Sequence, residues 1–117
     1  MENIFTYIYH IPGSLTANIQ SVFSIPFDCT LIQVSAVGSN ANDATLKLGN
    51  TADDDAYLTA FAIGDTNVPQ VKSRTDFVDN QYPHISAGTA FMVTLDYDGA
   101  AGTAAQNVTI SLTFAKG

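Results

Sequence analysis

The sequence predicts an all-β protein, a single antiparallel β-sandwich that is jelly-roll-like in its strand number, with one short helix near residues 54–62. Three observations predict it. Near the C-terminus apolar and polar residues alternate strictly, the signature of strands with one buried face. Turn-forming clusters recur at the spacing expected of a sandwich or barrel, and about eight strands fit the chain. At 117 residues, 46% hydrophobic and 13% charged, the chain has material for one core and one domain, residues 1–117.

The elements follow in order. Ile4 to Ile11 alternates, but both faces are apolar, with Ile4 and Ile8 on one and Phe5, Tyr7, Tyr9 and Ile11 on the other. A sheet in a small sandwich has one inner face, so this N-terminal strand or arm, residues 1–12, is expected to turn its second face to a neighbouring subunit. Ile19, Phe23 and Ile25 share a face before Pro26 stops the strand. Ile32, Val34 and Ala36 share the next, ended by Gly38-Ser39-Asn40, and Ala44, Leu46 and Leu48 form a third, ended by Gly49. Asp53-Asp54-Asp55 followed by Tyr57 and Phe61, four residues apart, reads as a helix with an acidic N-terminus, stopped at Gly64. Asp65 to Ser86, with Pro69 and Pro83, reads as irregular. Phe91, Val93, Leu95 and Tyr97 line one strand face, and Val108, Ile110, Leu112 and Phe114 another, with a small-residue loop from Asp98 to Gln106 between them.

Charge excludes several partners. Eleven Asp and Glu against four Lys and Arg give a net charge of −7. Nucleic acid needs a basic stripe and anionic lipid needs basic clusters, so neither is expected as a partner. The opening Met1-Glu2-Asn3 lacks a basic n-region and no apolar run reaches the length of a span, so neither an export signal nor a membrane is expected. The single Cys29 cannot form a disulfide within the chain, so the fold must hold by packing.

No catalytic constellation emerges. His10 and His84 lack spaced partners, and no Gly-x-Ser-x-Gly elbow occurs. Cys29 follows Asp28, the wrong sign for a thiolate, and reads as a small buried hydrophobe. Gly99 to Thr103 lacks the lysine and helix of a phosphate loop. Asp53 to Asp55 and Asp96-x-Asp98-Gly99 carry carboxylates that suit calcium, but helix capping and a polar strand end account for them without a metal. Asn107-Val108-Thr109 matches a glycosylation sequon by chance. Tyr7, Tyr9, Tyr57, Tyr82 and Tyr97 could stack on a sugar, although the chain has no Trp. The prediction is a non-enzyme with no cofactor and no metal site.

The run Val37 to Gly49 with Ala52 to Tyr57, and the tail Ile85 to Gly88 with Leu95 to Ile110, resemble small virion proteins of tailed bacteriophages that decorate the capsid. The resemblance covers roughly residues 30 to 115. It implies a β-sandwich or jelly-roll subunit, commonly trimeric, that binds assembled shell at junctions between coat subunits and has no catalytic residues. The expected partners are the phage major capsid protein and further copies of the chain, as a homotrimer. The expected place is the capsid surface, after synthesis in the bacterial cytoplasm. Phe5, Tyr7 and Tyr9 are the expected anchors of the oligomer or capsid interface, since aromatics dominate hot spots. The alternative reading is a carbohydrate-binding or host-adhesion module of a fibre. An enzyme accessory domain and a main coat protein fit less well.

Overall fold

Seven antiparallel strand pairings set the architecture. The computed structural model describes residues 3–117; Met1 and Glu2, where the expected arm begins, lie outside the described residues. Nine strands run β1 (Ile4–Ser14), β2 (Ile19–Phe23), β3 (Cys29–Val37), β4 (Thr45–Asn50), β5 (Leu58–Ala62), β6 (Gln70–Lys72), β7 (His84–Ile85), β8 (Phe91–Asp96) and β9 (Gln106–Lys116). β1 pairs with β9, β2 with β8, β3 with both β6 and β7, and β4 with β5, as in one long ribbon folded back on itself. Rolling that ribbon joins β9 to β3 and β8 to β4. The two sheets have the orders β1-β9-β3-β6 and β2-β8-β4-β5, with β7 also on β3. Because β6 and β7 share one place, the eight places make a jelly roll.

Alternation positions the core as the sequence predicts. Leu31, Val34, Val108, Ile110, Leu112 and Phe114 of the first sheet face Leu46, Leu48, Phe91, Val93 and Leu95 of the second, all buried. Phe114 and Phe91 meet edge to face across the sandwich at 5.8 Å, so aromatic rings tie the two sheets together. A register shift between Leu31 and Gln33 moves Leu31, rather than the expected Ile32, into the inner row with Val34.

The predicted helix at 54–62 does not form. Asn50 instead closes a turn: its side-chain oxygen accepts from the amides of Ala52 and Asp53, both at 2.9 Å, and its own amide donates to the Asp53 carbonyl. The chain then returns as β5, with Phe61 opposite Leu46 and Leu58 opposite Leu48. One extra residue in β5 puts Leu58 and Phe61 on the same side, a three-residue spacing that imitates a helix. The stretch from Asp65 to Ser86 is partly regular, with β6, two short 3₁₀ turns at Arg74–Asp76 and Val78–Asn80, and β7.

Candidate functional site

β1 is the feature that the rest of the fold leaves open. Among the described residues it has a hydrogen-bonded neighbour only in β9, so an eleven-residue edge strand runs along one side of the first sheet. Edges of this length normally carry lysine, proline or a covering loop against self-pairing. This one has Pro12 near its end, but the eight residues from Ile4 to Ile11 carry neither a formal charge nor a proline.

Its inner row is Phe5, Tyr7, Tyr9 and Ile11, opposite Phe114, Leu112, Ile110 and Val108 of β9. The three expected anchors differ in their surroundings. Phe5 is half-buried in its own subunit, stacked on Phe114 at 5.4 Å and edge-on to Phe27 at 5.4 Å. Tyr7 leans on Phe114 and on Phe23 of β2 at 5.9 and 5.5 Å, yet is 41% exposed. Tyr9 is 42% exposed. Tyr7 and Tyr9 stand at the mouth of a cleft of about 410 Å³ between the two sheets, lined also by Ser21, Phe23, Val93 and Leu112. The cleft exists because β1 and β2 edge their sheets without pairing to each other, and because Ser21, opposite Val93, is a small side chain in an inner position.

The outer row of β1 is Ile4, Thr6, Ile8 and His10. Thr6 Oγ1 is 3.0 Å from Thr113 Oγ1, and His10 Nδ1 is 2.9 Å from Thr109 Oγ1, so the polar members tie back to β9. Ile8 is 71% exposed and Ile4 55%.

Of the other candidates, Asn107 reaches this edge and the rest lie away from it. Cys29 is fully buried; burial, then the Asp28 carboxylate, hold its thiol above the ordinary range. His84 opposes Thr30 on the outer side of the first sheet, one pairing row with Ile4 and Ala115. Asp53, Asp54 and Asp55 cluster in the β4–β5 turn. Lys47 reaches Asp54 at 2.9 Å, a contact that raises the lysine's pKa. The Asp55 carboxyl is pushed up from its ordinary value, first by its hydrogen bond with Asp53. Asp96 Oδ1 accepts from the Asp98 amide at 3.0 Å, the local turn that the polar strand end predicts. The Asn107 side chain links β1 to the β3–β4 connection, accepting from the Gly13 amide and donating to Ser39 Oγ. On the outside of the second sheet, Asn18, Thr45, Lys47, Thr94 and Asp96 line a polar hollow of about 230 Å³. Among the described residues no polar or charged residue is buried in the core, and no helix is long and apolar enough to cross a membrane.

Sequence reasoning placed the aromatic row but missed the cleft behind it. The missing signal was Ser21, a polar residue on an inner-facing position between Ile19 and Phe23.

No family model matches the chain, and no curated protein matches it. Among solved structures, a chain of the "Cyanophage Pam1 capsid asymmetric unit" superposes with a TM-score of 0.56 at 14% identity, over 99% of this chain and 86% of that one. The likeness shows a shared fold along the whole length.

Proposed function

We propose that this chain is a structural protein of a phage virion, a decoration protein that binds the outer shell as an oligomer and stabilises it. The observation that carries the reading is the end-to-end fold likeness to a chain of a phage capsid asymmetric unit. It agrees with the resemblance of residues 30–115 to capsid-decorating proteins. The proposed role is mechanical and non-enzymatic, exercised on the capsid surface after synthesis in the host cytoplasm.

The physics of such a protein is repetition. One subunit offers a modest apolar contact; three subunits in a trimer offer it three times, and effective concentration turns weak contacts into lasting attachment. Bridging adjacent coat subunits then opposes their separation under internal pressure. In this reading Tyr7 and Tyr9 supply contact area at the mouth of the cleft, while Phe5 holds the strand in place for them. The partner is the major capsid protein of the phage. The test is co-sedimentation with undecorated shells, followed by heating of bare and decorated shells. Saturable binding and a raised disruption temperature are expected; retention on polysaccharide with no shell binding would favour the adhesion-module alternative.

A further inference from the structure

β1 leaves two things unfinished, a row of main-chain groups and the cleft beside it. The Lys116 amide donates to the Asn3 carbonyl at 2.7 Å, and Ile4 opposes Ala115. Bonded and non-bonded positions alternate along an antiparallel pair. Phe5, Tyr7, Tyr9 and Ile11 therefore direct their N–H and C=O groups to β9, whereas Ile4, Thr6, Ile8 and His10 turn theirs to the open side. Among the described residues nothing pairs with the main-chain groups of Thr6, Ile8 or His10. The other sheet edges are blunted by shortness, with five residues each in β2 and β5 and three in β6.

The cleft lies where a further strand would set its inner side chains. A strand added beside β1 runs about 4.8 Å from it and points every second side chain toward the other sheet. That side is the cleft of about 410 Å³, walled by Tyr7, Tyr9, Phe23, Val93 and Leu112, with no charged residue in its lining.

We infer that the β1 edge and the cleft together take up one extended segment of another polypeptide, added as a strand, with apolar side chains at alternate positions seated in the cleft. Backbone chemistry selects an extended chain, because a strand presents donors and acceptors at the spacing of a sheet edge. The cleft selects the alternate residues, since a charge there would lose its water without gaining a partner. A second β1 does not qualify. Its Phe5 is stacked on its own Phe114, and its Tyr7 lies against its own Phe23 and Phe114, so two β1 edges paired together leave both clefts empty. The donor is a segment free of any sheet of its own. Its identity rests on the decoration reading, which makes it a segment of the coat subunit. Main-chain bonds then fix the register of attachment, and the cleft reads the side chains.

The test is amide-resolved hydrogen exchange of the full chain, free and bound to undecorated shells. In the free chain the amides of Phe5, Tyr7 and Tyr9 are expected to exchange slowly and those of Thr6, Ile8 and His10 quickly. On shells the second set is expected to slow by at least about tenfold, so that protection becomes continuous along β1. Docking through side chains alone does not produce that alternate-residue change. Ile8→Pro removes one outward N–H without touching the bonds to β9, a substitution that a sheet edge tolerates. Ile8→Ala loses the same side chain and keeps the N–H. Slow exchange at Phe5, Tyr7 and Tyr9 verifies that β1 stays on β9 in each variant, and the wild-type pattern decides by itself where a variant loses it. Ile8→Pro is expected to bind shells about tenfold more weakly than Ile8→Ala. Equal affinity of the two variants overturns the inference, as do Thr6, Ile8 and His10 amides that stay fast on bound shells; both results leave the decoration reading standing. Slow exchange of those three amides in the free chain means that the edge is already covered, and overturns it as well. Absence of shell binding overturns it together with the decoration reading.

Discussion

Truncating Phe5 to alanine separates anchoring within the subunit from anchoring between subunits. The ring stacks on Phe114, meets Phe27 and Tyr7 edge-on, and joins the margin of the core. If roughly two thirds of an aromatic side chain of about 200 Å² is buried, the transfer contribution is about 3 kcal/mol. Each edge or stacked pair adds several tenths more, while partial relaxation of an edge strand and residual burial in the unfolded chain subtract from the total. The expected cost is about 2–3 kcal/mol. With an unfolding entropy near 2.1 cal/mol/K per residue, this lowers Tm by about 8–12 °C for a chain of this size. Ile8→Ala, on the open side of the same strand, is expected to cost under about 0.5 kcal/mol. The assay is thermal and urea unfolding of both variants, carried out under conditions where the chain is a monomer. A Phe5→Ala variant within 2 °C of wild type there (on the order of 0.5 kcal/mol) would refute the packing argument and return Phe5 to the role of a purely intermolecular anchor.

Three further outcomes follow from other parts of the fold. Gly49→Ala places a methyl group against the Asp53 carbonyl and the Asp54 backbone, so the β4–β5 turn must open; a loss of about 3 kcal/mol or more is expected in urea unfolding. Asp55 has a folded-state pKa above its ordinary 3.8, so the stability it contributes falls as pH rises from that value through the raised one, and its ionised form opposes folding at pH 7. Asp55→Asn is therefore expected to raise Tm at neutral pH, with the gain vanishing near pH 3, as a pH series of melts would reveal. Cys29, buried and held in its thiol form, is expected to react with a thiol reagent only after denaturation; rapid labelling of the native protein would contradict its placement.

What could be read from the sequence was whatever repeats with period two. Phe91 to Tyr97 and Val108 to Phe114 declare their buried faces because one side is aliphatic or aromatic and the other largely Thr and Ser, and the structure keeps those faces. Bulges defeated the same reasoning. One residue out of step near Ile32 exchanged it for Leu31, and an extra residue in β5 gave Leu58, Phe61 and Tyr57 spacings of three and four, which a strand and a helix share. The site was legible only in part. Two apolar faces on residues 4–11 are visible in the sequence, and they led to the expectation of a contact outside the subunit. Which of them a subunit keeps for itself depends on β1 being an edge, a consequence of pairing with β9 more than ninety residues away.

The central claim is that this jelly roll coats a phage shell. Its most direct test is a titration of undecorated capsids with the purified chain, read by co-sedimentation and by electron microscopy of the shells. The account predicts binding that saturates at a fixed ratio to coat subunits, with ordered density on the outer surface and greater resistance of the shell to heat. Absence of binding at concentrations well above those of the shell sites, or binding without order and without stabilisation, would contradict it.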